Sequence, residues 1–434
     1  MVDYFKKIIN NRFAKNIAMI AGGTAFAQII GTLAMPIITR LYNPQEYGVL
    51  TVYMSCIGLF TGSQSLRYEL GIPIAEDERE ATNVFFLSTL ILIVLSSFLF
   101  LLTQISSIEI FSVLSIEKIY DYRTLIPLGF FLTGIYQIYM MWSFRSNNYK
   151  AIAATKLNRS IGANIIKVVL GLTGIGPIGL LWGYIFGESS GTITLAKPVM
   201  NHKFVSNIKK TRFKEVKDVW IKYIKFPKYS LPSNFLSKAG DQIPVLFIAS
   251  LYGSQVIGYY GLSKSIIALP TMLIGNSIGD VFYGEAAAIG KSNPTELKKI
   301  SSQIFKKLFF IGLIPLVLFI ITAPELFNLL FGPSWYEAGI YARILSIWAF
   351  SQLVFQPISR IYDIFGRQKE LFIITLTRII LILMIFFAAK KYSINSYVAI
   401  LAYSLTMFLI YLITYLYSRK ILHSEIERVG DNLE

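Results

Sequence analysis

The chain has one cysteine and two histidines in 434 residues. A lone thiol, Cys56, excludes an internal disulfide and a cysteine metal cluster. His202 and His423 lie in polar stretches far apart in sequence, which argues against a nucleophile–histidine relay. Charge is scarce as well: 15% of residues are Asp, Glu, Lys or Arg, against roughly 25% in a soluble domain. The net charge is +16, yet no basic, aromatic-interleaved polar segment is long enough to form a nucleic-acid-binding domain. The opening stretch MVDYFKKIINNRFAKN has no short apolar core with a small-residue cleavage site behind it, so it does not read as a removable leader.

What the chain has is apolar surface. Hydrophobic residues make up 54% of it, more than a polar exterior could cover in water. A spanning helix needs about 20 mostly apolar residues. On that basis spans are expected near 14–39, 46–72, 81–105, 122–144, 151–173, 177–199, 228–252, 257–283, 303–325, 338–360, 370–389 and 395–417, the fifth and tenth being the least apolar. This is an all-α integral membrane protein of about twelve transmembrane helices.

Lys and Arg fall mainly on one side. Lys6, Lys7, Arg12 and Lys15, Arg145, Lys150, Lys156 and Arg159, the run from Lys203 to Lys228, Lys291 to Lys307, Arg367 and Lys369, and Arg419 to Arg428 share that side. The other side holds Arg40, Lys118, Arg123, Lys390 and Lys391. An excess of about five to one places both termini in the cytoplasm. The outer loops are short, the longest being about 106–121, with Glu109, Glu117, Lys118 and Asp121.

The basic stretch 200–227 divides the chain into 1–199 and 228–434, six expected helices each. It reads as a cytoplasmic linker lying on anionic lipid heads. The halves also resemble each other. Leu41-Tyr42-x-x-Gln45-x-x-Gly48 recurs as Leu251-Tyr252-x-x-Gln255-x-x-Gly258, and Leu157-x-Arg159-x-Ile161 resembles Leu376-x-Arg378-x-Ile380 in the fifth helix of each half. Six is even, so the repeats are parallel and related by a pseudo-twofold axis along the membrane normal.

Polar residues inside the expected spans are costly and mark cavities or internal pairs. The first helix carries Thr24, Gln28, Gly31 and Thr32 on one face; the seventh carries Ser230, Asn234, Lys238 and Asp241. A lumen between the halves and polar glue between packed helices both account for such stripes. Lys238 and Asp241, three apart, can neutralise each other. Arg67, Glu69, Asp280 and Arg360 lie near cytoplasmic ends, where side chains snorkel. Lys167, Lys264 and Arg378 lie deeper. They form either ion pairs, with Glu188 a candidate partner, or a cationic cavity wall for an anionic substrate.

Several segments resemble the Wzx-type oligosaccharide flippases, a branch of the multidrug/oligosaccharidyl-lipid/polysaccharide exporter superfamily. They are 40–48 (RLYNPQEYG), 65–73 (SLRYELGIP), 226–233 with Gln242-Ile243-Pro244-Val245, Phe331-Gly332-Pro333-Ser334-Trp335, and Gly366-Arg367-Gln368-Lys369. The likeness runs from about residue 12 to 420. It implies a MATE-like V of two six-helix bundles. It also implies passage of an undecaprenyl-diphosphate-linked oligosaccharide to the outer leaflet of the bacterial inner membrane by alternating access, for O-antigen or similar surface polysaccharide. The chain departs from related drug exporters in having no buried Asp or Glu on its first helix.

From this, Lys167, Lys238, Lys264 and Arg378 are the expected cationic contacts to diphosphate or acidic sugar. Thr24, Gln28, Gln64 and Asn234 are the expected polar contacts. Asp241 and Glu188 are candidate acids for coupling to H+ or Na+; no cofactor, metal or catalytic residue is expected. Membrane lipids, a polysaccharide polymerase and glycosyltransferases are the expected partners, and nucleic acid is not. The alternatives are a multidrug exporter, a peptidoglycan-precursor flippase, or a membrane-embedded polymerase or ligase. The last would need catalytic groups on a larger outer loop.

Overall fold

The computed structural model describes residues 12–107, 117–200, 202–289 and 293–431. Lys6, Lys7, Glu109 and Lys291 lie outside them, as do the side chains of Arg12, Lys15, Glu117, Lys118, His202, Lys203 and Asp280. Among the described residues the chain is helical, with no strand. It forms two compact units, Met1–Ser254 and Gln255–Glu434.

The first unit contains α1 (Arg12–Leu41), α2 (Pro44–Phe60), α3 (Glu78–Ile105), α4 (Leu125–Arg145), α5 (Tyr149–Gly171) and α6 (Ile178–Val199). Two short helices follow, α7 (His202–Lys209) and α8 (Phe213–Lys222). A π-helical turn, Phe226–Ser230, leads into α9 (Leu231–Ile267), whose first part belongs to this unit. The second unit takes the rest of α9, then α10 (Asn276–Ile289), α11 (Pro294–Phe331), α12 (Tyr336–Phe355), α13 (Gln368–Lys391) and α14 (Ser396–Asp431).

Among the described residues eight helical stretches are long and apolar enough to cross a membrane. One of them, Phe226–Ala287, has 62 residues, ample for two crossings at 1.5 Å per residue. α2, α5 and α6 are the remaining helices at expected spans. α2 has 17 residues, and α5 and α6 are interrupted by polar groups with partners inside the unit. The helices turn apolar side chains outward: Phe98 and Leu101 on α3, Ile314 and Ile321 on α11, Met384 and Phe387 on α13 are each more than half exposed. Lipid, not water, suits such a surface.

Local chemistry sets the helix ends. Asn43 caps α2 by accepting from the Glu46 N–H at 3.0 Å, and Glu46 accepts from the Asn43 N–H at 2.8 Å, with Pro44 at the first helical position. That reciprocal cap is the physical content of the Asn43-Pro44-Gln45-Glu46 motif. Its repeat, around Tyr252, is instead a kink within α9 at Gly253, φ 80° and ψ −179°, a conformation open to glycine. The span expected over 46–72 is helical only to Phe60. Gly62 at φ 77° and Leu66 and Arg67 at φ 54° and 69° turn the chain before a 3-10 turn, Tyr68–Gly71. The span expected at 303–325 is one helix of 38 residues, and that at 395–417 runs on to Asp431.

The basic linker is pinned to the first unit. Phe204 of α7 is 1% exposed and meets Phe85 and Trp142 at centroid distances of 5.1 and 4.6 Å. Val216, Val219 and Tyr223 bury the inner face of α8. On one flank Lys222 Nζ reaches Glu76 at 2.7 Å and Glu80 at 2.6 Å, while Arg79 Nη2 reaches Glu215 at 2.5 Å. So the acidic segment 76–80, which leads into α3, is the linker's latch. The other flank leaves Phe213, Trp220 and Ile221 exposed among lysines, a surface suited to the lipid boundary.

Burial raises the Glu80 carboxyl, but hydrogen bonds from Lys222, the Glu76 N–H and Tyr223 outweigh it and hold it below its ordinary value. The Arg79 hydrogen bond similarly lowers Glu215. A carboxyl depressed in the folded state stabilises above its unfolded pKa, and the stabilisation is lost as pH falls through the folded one. Amide exchange in Phe213–Lys222, corrected for intrinsic rates, is therefore expected to be slow at neutral pH. It should accelerate below about pH 4 relative to α12. Unchanged relative protection would show that the latch does not hold α8.

Candidate functional site

In the first unit the deepest charges belong to α5 and α6. These helices approach through Gly183, Gly187 and Gly191 on α6. An added Cβ would collide with Lys167 Cγ at Gly183, with Ala163 at Gly187 and with Arg159 Cγ at Gly191. Close approach by small residues at four-residue spacing is a membrane packing device. It places Arg159 directly on Glu188, which is 2% exposed. The guanidinium also lies 4.4 Å from the Tyr136 ring centroid, with Lys156 5.9 Å from the same ring. Glu188 Oε2 has no hydrogen-bond partner among the described residues. Thr155 donates to the Gly191 carbonyl at 2.8 Å and Asn158 to Thr194 at 2.8 Å, extending the seam.

Glu188 therefore pairs with Arg159, where the sequence offers Lys167, Lys264 and Arg378 as candidate partners. The stem of Lys167 packs over Gly183, and its carbonyl accepts from the Tyr42 hydroxyl at 2.8 Å. In the sequence Arg159 is one of the cytoplasmic-side cations, placed within the fifth expected span. The signal that identifies it is Gly183-x-x-x-Gly187-x-x-x-Gly191, combined with the Arg159/Arg378 repeat.

The polar stripe of the seventh crossing is tied to loop 61–67. Asn234 Nδ2 donates to the Thr61 carbonyl and to Ser63 Oγ, each at 3.0 Å. Arg67 donates to Ser230 Oγ and to the Gly62 carbonyl, each at 3.3 Å, and lies 3.8 Å from Glu69. Gln64, 1% exposed, accepts from the Gly62 N–H at 2.8 Å and donates to Thr133 at 3.0 Å. In this structure Asn234 and Gln64 hold a non-helical turn between packed helices. Lys238 is half-buried and Asp241 exposed. On α1, Thr24 and Thr32 donate back to carbonyls one turn earlier, at 2.9 and 2.8 Å. The Gln28 amide, half-buried, has no partner among the described residues.

In the second unit Lys264 and Arg378 each interact with members of one group of buried aromatic residues. Lys264 Nζ lies 5.7 Å from the ring centroids of both Tyr260 and Trp348. Trp348 adjoins Tyr403 at 6.4 Å, and Tyr403 interacts with Tyr260 and Arg378. The result is a basic aromatic cluster on α9, α12, α13 and α14. Lys264 has no carboxylate partner among the described residues. Tyr260 and Trp348 are 0% and 6% exposed, so Lys264 sits against desolvated rings, where cation–π attraction is strongest. Lys167 and Lys238 are in the first unit. No group of three or more His, Cys, Asp or Glu able to hold a metal occurs among the described residues.

A chain whose described residues are helical, with apolar sides suited to lipid, defines a multi-pass membrane protein. Its fold is that of the MATE-type transporters. A multidrug resistance MATE family transporter of the MOP superfamily, in an inward-facing conformation, superposes with a TM-score of 0.73 at 13% identity. The match covers 94% of this chain and 99% of the transporter. A MOP superfamily transporter from Pyrococcus furiosus, described by a binding pocket of reverse polarity, gives 0.56 at 14% identity over 95% and 98%.

Residues 37–340, more than half of the chain, match the polysaccharide biosynthesis protein family, and the chain belongs to it. A Klebsiella pneumoniae protein described as an uncharacterized membrane protein in the cps region is 24% identical over 335 residues. These are 76% of this chain and 66% of that protein, so the chain spans just under two thirds of that relative. The resemblance to Wzx-type flippases agrees with both findings.

Removing Arg159 leaves Glu188 buried and charged. Arg159→Ala is expected to cost about 3 kcal/mol, because breaking one side of a buried pair strands the other. Arg159→Leu with Glu188→Leu should recover most of it. Thermal unfolding of the purified protein in detergent checks this. A double variant as unstable as Arg159→Ala would show that the pair's charge is not the cause.

Proposed function

We propose that the chain is a flippase. It moves an undecaprenyl-diphosphate-linked oligosaccharide repeat unit from the cytoplasmic to the outer leaflet of the bacterial inner membrane, for surface polysaccharide such as O-antigen. The observation that carries this reading is the polysaccharide-biosynthesis family match on a chain with the fold of MOP transporters. Both termini are assigned to the cytoplasm by the Lys and Arg asymmetry. Alternating access is assigned to the repeated halves 1–199 and 228–434, joined by the basic segment 200–227. The protein performs no covalent chemistry in this account; glycosyltransferases act before it and a polymerase after it.

Lys264 and Arg378 are the cations given the diphosphate or acidic sugar. Both are held in one aromatic cluster, and Lys264 has no carboxylate partner there. Their attraction for an anion is strengthened by the low local dielectric. Lys167 and Lys238 are secondary cations of the same kind, and Gln28 an amide free to meet a sugar hydroxyl. Glu188, with one oxygen unpartnered, is the candidate for H+ coupling, and Asp241 the second. A drug exporter handling cations would favour an acidic pocket, and the deep charge of the second unit is basic. The reverse-polarity pocket named for the Pyrococcus furiosus transporter supports the view that pocket charge varies with function in this fold.

The test is complementation of a strain lacking its own flippase. The wild-type chain restores surface polysaccharide. Lys264→Ala with Arg378→Ala, at normal membrane abundance, should cut it by roughly tenfold or more, the loss expected for charge-assisted contacts. Lys264→Arg should retain most activity. Full polysaccharide in the double alanine variant would remove the cationic contact from the mechanism.

A further inference from the structure

The eighth and tenth crossings present two facing stripes within the second unit. Thr271, Gly275 and Gly279 follow one another at four-residue spacing, from the π-helical turn Thr271–Gly275 into α10. Opposite them are Gln352, Gln356, Ser359 and Arg360, where α12 gives way to the 3-10 turn Gln356–Arg360. The glycines permit the approach: a Cβ on Gly275 would fall 3.1 Å from Leu353 Cδ1, and one on Gly279 3.5 Å from Pro357. Between the stripes lies a cavity of about 380 Å³. That is within the range of small-molecule sites, roughly 300–1,000 Å³. Both helices leave regular geometry at this point. Irregular backbone at membrane depth is tolerated where it lines a cavity, and π-turns gather at functional sites.

Thr271 gives the cavity its direction. It is 6% exposed, and its hydroxyl has no partner among the described residues. Thr24, Thr51, Thr89, Thr375 and Thr414 all donate to the carbonyl one turn earlier. Thr271, lining the cavity within the π-turn, makes no such bond. A buried hydroxyl without a partner is unfavourable unless a ligand or water supplies one.

The remaining groups define the ligand's chemistry. Gln352 and Gln356 each offer a carbonyl and an amide, so the lining donates and accepts in comparable measure. The one cation, Arg360, lies 3.9 Å from Asp363 and 5.6 Å from the Tyr283 ring, so its charge is already balanced at the rim. A diphosphate would call for a surplus of cations and N–H donors. A sugar ring, with hydroxyls that both donate and accept, fits the lining better. We infer that this cavity is a sugar-ring subsite for the transported glycan, an assignment that rests on the flippase reading.

The test uses the chain's single cysteine. In a Cys56→Ser, Ser359→Cys protein reconstituted in vesicles, alkylation of the new thiol by a polar maleimide is timed. Lipid-linked oligosaccharide extracted from polysaccharide-producing cells should slow it severalfold, while undecaprenyl diphosphate without sugar should not. Equal slowing by both lipids, or by neither, overturns the sugar assignment. Independently, Thr271→Val should lower glycan flipping about tenfold, the loss of one hydrogen bond, with the thermal midpoint unchanged or raised. Normal flipping in that variant also overturns it. Absence of flipping by the wild-type chain would sink the transport reading instead. The protection assay would still report on the subsite.

Discussion

Hydrocarbon offers no hydrogen bonds, and most of this chain's architecture follows from that. Backbone groups are satisfied by helices, and side-chain hydroxyls by the carbonyl one turn back, as at Thr24, Thr32 and Thr414. Charges cannot be hidden so locally. They need a partner on another helix, and they get one where small residues let two backbones close. The α5–α6 seam of Gly183, Gly187 and Gly191 is built this way, and Arg159 and Glu188 meet across it.

The two units solve the same problem differently. Each carries an arginine on its fifth helix, in matching sequence. Arg159 faces an acid and a tyrosine ring. Arg378 faces Tyr403 in a cluster that also holds Lys264, Tyr260 and Trp348. The first arrangement is close to electrically neutral; the second is basic. That difference, more than the count of cations, is why the proposal assigns an acidic group to the second unit.

Hydropathy made the crossings legible because lipid selects for one property over twenty residues at a time. It could not show where a span stops being helical. The run 46–72 is apolar throughout, yet Gly62, Leu66 and Arg67 at positive φ end the helix at Phe60. Polar stripes were legible as stripes, but their use depends on tertiary neighbours. Asn234 and Gln64 hydrogen-bond a turn. Arg159 lies toward the cytoplasmic end of its expected span and so reads as one of the positive-inside cations; its pairing with Glu188 depends on how α5 packs on α6. The cavity at Thr271 was out of reach, since it depends on a π-turn and a 3-10 turn coming into register.

The central claim is that this polypeptide alone carries a lipid-linked glycan across a bilayer. The most direct measurement uses purified wild-type chain in sealed vesicles, with fluorescent lipid-linked oligosaccharide in the inner leaflet and a glycosidase outside. The account predicts that the sugar becomes accessible to the enzyme at a rate proportional to the amount of protein, while undecaprenyl diphosphate without sugar does not compete effectively. A rate equal to that of protein-free vesicles would contradict it.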